Sequence, residues 1–299
     1  MKIAVLGTFV IDDIIPFNGP PVKSLGGITY TISILANLLT ESDEIYPVAN
    51  VGKDAADRIL QLIRSFENVK SDGINITNHQ NSRVRLRYSS RENREEIFQN
   101  KLPPIEFEQV ASLNHFDAIL MNFITGFELP AETLNRIATQ LQAISYMDYH
   151  SLCLGIDENG RRFKQKPENW QKWLKGINIV QMNDDEARIL SDGGSFRTLA
   201  GEIIGHGVKI VNITRGSNGS YLFYADSNKY MKFEEIEAGK FDAIDVTGCG
   251  DAFAGGFIVD YLKHKNTFSA AKHANLVAGF NSSISGTEDI KKITNILHR

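Results

Sequence analysis

The chain has little cysteine and no long apolar run. Only Cys153 and Cys249 occur in 299 residues. They lie far apart, without the spacing of a metal knuckle or a redox pair. The expectation is two reduced thiols in the cytoplasm. The N-terminal apolar run, Ile3 to Leu6, is too short for the apolar region of a signal peptide. No stretch reaches the roughly 18 apolar residues of a membrane span. An excess of one charge is also missing. The 32 basic and 36 acidic side chains leave a formal net charge of −4, which argues against a nucleic-acid or membrane surface as the main partner. His115, His150, His264 and His273 show no metal-ligand pattern.

What is present is a globular composition, 42% hydrophobic and 23% charged, with short apolar runs alternating with amphipathic stretches. Strands are expected at Lys2–Leu6, 45–51, 118–121, 145–147, 177–181 and 208–213. Helices are expected at 29–39, 55–66 and 130–144, with Pro130 suited to a first turn. This alternation predicts an α/β fold with a mostly parallel central sheet and helices on both faces. The tail reads as helices at 250–263, 269–285 and 288–298. Trp170 and Trp173 read as core.

Two segments break the rhythm. Residues 14–25 are rich in Pro and Gly. Arg83-Val84-Arg85-Leu86-Arg87-Tyr88 alternates with period two, the mark of a half-exposed strand. A single domain over 1–299 is expected, with a small β lid built from segments near 14–25 and 82–100. Arg83, Arg85 and Arg87 share one face, with Arg91 and Arg94 nearby. An inward Arg face would suit an anionic substrate. Burying charge without a partner is costly, so the apolar face is expected inward, over a neutral polyol.

The most informative stretch is Asp245-Val246-Thr247-Gly248-Cys249-Gly250-Asp251-Ala252-Phe253. A Gly-rich turn runs into an apolar helix. First-turn amides have no internal acceptor and, with the helix dipole, suit an anion. Gly248 and Gly250 let the backbone approach a phosphate closely. Asp251 beside that anion site suits the deprotonation of a substrate hydroxyl during phosphoryl transfer. A dinucleotide loop does not fit, because Phe253 stands where a third Gly or Ala belongs. There is no Walker-type P-loop either.

Here the chain resembles the ribokinase-like PfkB family of carbohydrate kinases, whose signature is Asp-Thr-x-Gly-Ala-Gly-Asp. This sequence fits as Asp-x-Thr-Gly-x-Gly-Asp, with Cys249 in place of the common Ala. The resemblance runs along the chain. Gly7-Thr8-Phe9-Val10-Ile11-Asp12 is similar to an opening strand whose Asp binds substrate hydroxyls. Gly26-Gly27 is similar to the signature that passes close to the sugar. The Asn expected four residues later falls on Thr31. Val51-Gly52-Lys53-Asp54 resembles the family's Val-Gly-x-Asp turn. Asn183-Asp184-Asp185-Glu186 matches Asn-x-x-Glu, and Thr214-Arg215-Gly216 with Gly219 resembles a nucleotide turn. Asn275 matches an Asn near the adenine.

The resemblance implies a ribokinase-like sandwich and an ATP-dependent transfer with Mg²⁺. Asp251 would be the base, with the amides of Gly248, Cys249 and Gly250 holding the developing charge. Asp12, Gly26, Gly27 and Thr31 would bind a sugar-like substrate. Asn183, Glu186, Thr214, Arg215, Gly216, Gly219, Thr247 and Asn275 would bind the nucleotide, with Glu186 meeting the metal through water. Asn183 and Glu186 also have the spacing of a helix capping box. Arg215 suits phosphate contact or solvent equally. A homodimer through the lid is the arrangement implied. Two other readings stay open: a nucleoside or vitamin kinase of the same superfamily, and a non-catalytic sugar- or nucleotide-sensing protein.

Overall fold

The computed structural model describes residues 1–90, 94–284, 286 and 290–293. In chain order the elements are β1 (Lys2–Leu6), β2 (Phe9–Ile15), β3 (Val22–Gly27), α1 (Thr29–Leu38), β4 (Glu44–Gly52), α2 (Ala56–Arg64) and β5 (Ile74–Thr77). There follow β6 (Arg83–Tyr88), β7 (Arg94–Gln99), β8 (Ala118–Asn122), α3 (Ala131–Gln140), β9 (Ile144–Asp148), β10 (Leu154–Ile156) and β11 (Arg162–Lys164). The last are β12 (Ile179–Asn183), α4 (Asp184–Leu190), α5 (Phe196–Gly205), β13 (Ile210–Thr214), β14 (Ser220–Ala225), β15 (Met231–Ile236), α6 (Cys249–His264) and α7 (Thr267–Ser282).

Nine strands form one sheet in the order β15-β14-β13-β12-β9-β8-β1-β4-β5. From β5 to β13 every pairing is parallel, and β14 and β15 add an antiparallel edge. β1 explains the layering. Its Ile-Ala-Val-Leu run has no polar residue to turn outward, and side chains alternate across a strand. Ala4 and Leu6 enter the core under α3, α4 and α5. Ile3 and Val5 enter the core under α1, α2, α6 and α7. Among the described residues no helix is long and apolar enough to cross a membrane.

The lid is a second sheet, β3-β2-β6-β7. It begins earlier than expected, at Phe9, so Asp12 lies inside a lid strand rather than at the end of the opening strand. The cause is the short break at Gly7 and Thr8, which separates β1 from β2. Val10, Val84 and Phe98 form the buried underside of the lid, against Ile124, Phe127 and Ile156. Arg85 and Arg87 are exposed, and Arg83 donates to Asp54 at 2.9 Å. The apolar face is therefore the inward one.

Three expected boundaries shift. The helix expected over 130–144 ends at Gln140, because Leu141 is extended and Ile144 already pairs with Ala118. The helix expected over 269–285 ends at Ser282. Of the tail helix expected over 288–298, Ile290–Ile293 forms a 3₁₀ turn. The remainder lies outside the described residues, as does Arg91.

Phe257 is fully buried in α6, with ring centroids of Tyr146, Phe253 and Tyr261 at 5.9, 6.2 and 5.9 Å. Phe257→Ala should lower stability by about 3–5 kcal/mol, read from urea unfolding. An unchanged midpoint would show that this ring does not anchor α6 to the sheet.

Candidate active site

The carboxyl ends of the parallel strands supply the floor of the site, as open α/β sheets do for ligands. Asn122 ends β8 and pairs in register with Asp148 at the end of β9. Asn183 ends β12 and pairs with Thr214 at the end of β13. The start of α6 lies across these ends. Gly248, at φ +75, lets the chain turn into the helix, and a Cβ there would meet the Tyr30 ring at 2.4 Å. Gln181 donates to the Gly250 carbonyl at 2.9 Å and accepts from Tyr146 Oη at 2.5 Å, which pins the turn to β12. Asn281 in α7 donates to the Thr247 carbonyl at 2.8 Å. The Thr247 amide donates to Asp245 at 2.9 Å.

Asp251 sits in the first turn of α6. Its Oδ1 accepts from Thr31 Oγ1 at 2.6 Å and from Asn122 Nδ2 at 3.0 Å. Burial pushes its carboxyl up to about 6, against the opposing pull of the Thr31 hydroxyl, the His150 charge, its own main-chain amide and the Asn122 amide. The Cys249 amide donates to the Val246 carbonyl at 3.3 Å, so it is engaged within the turn, unlike the expectation for an anion-holding group. Burial raises the Cys249 thiol, which leaves it a poor nucleophile.

Asp12 faces the double glycine. A Cβ on Gly26 would fall 1.9 Å from an Asp12 oxygen, and one on Gly27, at φ +64, 2.1 Å from the Thr8 carbonyl. The glycines thus clear space for the Asp12 carboxylate and the lid backbone. Burial, followed by the charges of Asp12, Asp245 and Asp251, pushes the Tyr30 phenol well above its usual range. Tyr30 stays protonated among these carboxylates.

Asn183 and Glu186 form the expected capping box. The Glu186 amide donates to Asn183 Oδ1 at 2.9 Å, and the Asn183 amide donates to Glu186 Oε2 at 2.7 Å. Glu186 Oε1 also meets Asn183 Nδ2 at 2.7 Å and His150 Nδ1 at 2.9 Å. Partial desolvation of the His150 ring, which is 47% exposed, lowers its affinity for a proton. The bond to Glu186 and the charges of Glu186 and Asp148 outweigh this and push it up to about 9. Burial, with Glu186 and Asp251 as like charges, pushes Asp148 up to about 8 against the pull of His150.

Several expected residues make contacts within the protein. Arg215 donates to Glu235 at 2.6 Å and stacks 3.9 Å from the Tyr221 ring centroid. Asn275 donates to Ser220 Oγ at 3.0 Å and to the Ile236 carbonyl at 3.4 Å, tying α7 to the sheet edge. Thr31 spends its hydroxyl on Asp251. Thr214 donates to the Met182 carbonyl at 3.5 Å. Gly216 and Gly219 both have positive φ, and a Cβ on Gly219 would meet the Ile236 carbonyl at 2.0 Å. That turn is a β13–β14 hairpin.

Sequence reasoning missed Asn122, Asp148, His150, Gln181 and Arg162. Four of them sit on or just after strands β8, β9 and β12, where a polar residue at the close of an apolar run was the available signal. Arg162 comes from β11. It lies beneath the lid with a buried side chain, donates to the Ile124 carbonyl at 3.1 Å and lies 3.8 Å from Glu96.

The sequence pattern of the pfkB family carbohydrate kinases matches residues 19–293. An uncharacterized sugar kinase of Archaeoglobus fulgidus is 26% identical over 239 residues, covering 77% of this chain and 88% of its own. Ribokinase of Thermotoga maritima has the same fold, with TM-score 0.80 at 17% identity over 100% of this chain and 99% of its own. A pyrophosphate-dependent kinase in the ribokinase family, solved as a sulfate complex, gives TM-score 0.77 at 18% identity, over 97% of this chain and 99% of its own.

Asn183→Ala removes the cap of α4 and a partner of Glu186. It should cost about 1 kcal/mol, measured by thermal or urea unfolding, with Asn183→Ser retaining most of the stability. Equal midpoints for all three proteins would show that the cap contributes nothing.

Proposed function

The chain belongs to the pfkB family of carbohydrate kinases, and from that premise we propose that it transfers the terminal phosphoryl group of ATP to a hydroxyl of a neutral sugar or polyol. One observation carries the reading. Asp251 is a half-buried carboxylate held in the first turn of a helix, beside the amides of a Gly turn and under a lid that carries Asp12.

An acceptor hydroxyl gives its proton to Asp251 as its oxygen attacks the terminal phosphorus. The bond from that phosphorus to the bridging oxygen breaks, and ADP leaves with the bond electrons. The amides of the N-cap Gly248 and of Gly250 in the first turn face the negative charge that builds on the transferred group. His150, held by Glu186, adds positive charge on the same side. The lid excludes water with the Val10, Val84 and Phe98 face, which limits hydrolysis of the donor.

A neutral acceptor fits the charges beneath the lid. Asp12 and Asp251 accept hydroxyl hydrogens, and the Arg162 guanidinium is matched by Glu96. Arg85 and Arg87 turn outward.

Mg²⁺ fits through water. Glu186 has both oxygens engaged by Asn183 and His150, and among the described residues no three His, Cys, Asp or Glu side chains converge as a direct cage. Glu186 and Asp148 would hold the hydrated ion, which neutralises phosphate charge when bound.

The deciding experiment offers D-ribose, D-fructose, myo-inositol and D-gluconate with ATP or with pyrophosphate. Turnover of a neutral acceptor with ATP supports the reading. Turnover of gluconate alone overturns the neutral acceptor, and turnover with pyrophosphate alone overturns the donor.

Asp251→Asn should lower turnover about 10²-fold while ATP binding persists. The base must be ionised, so wild-type kcat/KM should rise with pH through about 6 and level off above it. A flat acid limb would remove Asp251 from the base role. Asp12→Ala should raise acceptor KM far more than ATP KM. Equal acceptor affinity by calorimetry would place hydroxyl binding elsewhere.

A further inference from the structure

We propose that Thr31 and Asn122 are positioning residues for Asp251, and that they leave Oδ2 as the atom that takes the acceptor's proton. This rests on Asp251 being the base. Both hydrogen bonds end on one oxygen. Thr31 Oγ1 donates to Oδ1 at 2.6 Å and Asn122 Nδ2 donates to it at 3.0 Å. The same Nδ2 lies 3.2 Å from Thr31 Oγ1 and donates to it. Thr31 therefore accepts from Asn122 and has its single hydroxyl hydrogen left for Asp251. The direction of the chain is fixed by donor chemistry, because an amide nitrogen and a carboxylate cannot exchange roles.

Three consequences follow from this arrangement. Oδ1 carries two hydrogen bonds and is the less basic oxygen, so proton transfer falls to Oδ2. The carboxylate plane is held by two elements, α1 through Thr31 and β8 through Asn122. The two donors also favour the ionised form, opposing the burial that favours the neutral one. Thr31 is 0% and Asn122 2% exposed, so water cannot take over from a lost donor without a change in packing.

Other charged or titratable groups surround Asp251 directly or through a neighbour. His150 and Asp148 do so from β9 and the turn after it, Glu186 from α4, Tyr30 from α1, and Asp245 from the segment before α6. Of these, His150 acts on Asp251 through space, and Asp148 and Tyr30 feel the Asp251 charge. The bonds to Oδ1 come from Thr31 and Asn122. Thr31 thus moves from the substrate contact expected of its place after Gly26-Gly27 to the support of the base. The side-chain amide enters from β8 instead.

The test is a carboxyl-carbon NMR titration of the full chain labelled with ¹³C-aspartate. The Asp251 resonance is identified by its loss in Asp251→Asn. Thr31→Val, which keeps the shape and removes the donor, should raise the Asp251 midpoint by about one to two units, as expected for losing a hydrogen bond to a charged acceptor. Thr31→Ser should restore it, and Asn122→Ala should raise it as Thr31→Val does. The acid limb of kcat/KM should move with the midpoint, using whichever of D-ribose, D-fructose and myo-inositol the wild type phosphorylates. Acceptor KM on the pH plateau should stay within roughly twofold, since no ground-state contact is lost.

A Thr31→Val midpoint equal to wild type overturns the proposal. So does a large rise in acceptor KM with an unmoved acid limb, which would return Thr31 to substrate binding. If Asn122→Ala does not fold, the Thr31 pair decides alone. The titration needs no turnover, so it separates this inference from the kinase reading. Wild-type turnover in Asp251→Asn, with the Thr31→Val shift present, supports the bonds and removes the base assignment.

Discussion

Keeping a carboxylate ionised while it is shielded from water is the constraint around which this site is arranged. A buried acid drifts towards its neutral form unless donors or opposite charge hold it. Asp251 meets that demand by bringing three parts of the chain to one oxygen: α6, which carries it, α1 with Thr31, and β8 with Asn122. Close packing of the helices makes this geometry reachable. A Cβ on Gly255 would come 2.8 Å from Ile34, and one on Gly256 would come 3.0 Å from Val277. Bulk at either glycine would move α6 relative to α1 or α7, and Asp251 with it.

The neighbouring ends of β9 and β12 face a different problem, a cluster of like charges. Asp148 stands near both Glu186 and Asp251, and like charges this close favour proton uptake by Asp148 unless a cation balances them. His150 lies among them, bonded to Glu186. The imidazolium and the raised Asp148 reduce the negative charge that a phosphate would otherwise meet. Glu186 cannot swing away to avoid the cluster, because the capping box fixes its carboxylate to the start of α4. The cap that the spacing of Asn183 and Glu186 predicts is therefore part of the electrostatics as well as of the helix.

Much of this was legible in the sequence, for reasons of period and turn chemistry. Apolar strand runs implied a sheet buried on both faces, and the alternating Arg83–Tyr88 stretch implied a half-exposed strand. The Gly248–Asp251 turn and the Asn183–Glu186 cap are local patterns whose geometry follows from short-range rules. Long-range partners were not legible. Arg215 is drawn to Glu235 and Tyr221, and Asn275 to Ser220, by the antiparallel edge strands β14 and β15, a pairing that no local pattern announces. Asn122, Asp148 and His150 are single polar residues closing apolar runs. Only the parallel register, which sets Asn122 beside Asp148, shows that they converge.

The lid is fastened at two places, and this shapes how it can work. At its base, the Gly52 amide donates to Asn81 Oδ1 at 2.9 Å, Asn81 donates to the Phe9 carbonyl at 2.8 Å, and Asp54 holds both the Asn81 amide and Arg83. At its outer strand, the Phe98 amide donates to the Gly160 carbonyl at 2.8 Å, and Arg161 pairs with Glu95. Gly160 belongs to the β10–β11 turn, whose strand β11 also holds Asp185 of α4 through Lys164 at 2.6 Å. The segment that carries His150 thus continues into the brace of the lid. A lid tied in this way is poorly suited to swing as a free flap. Movement of β7 would load the β10–β11 hairpin, whereas the exposed Lys164–Asp185 pair passes little of that load to α4. The lid strand β7 and the segment after His150 are thus tied into one framework.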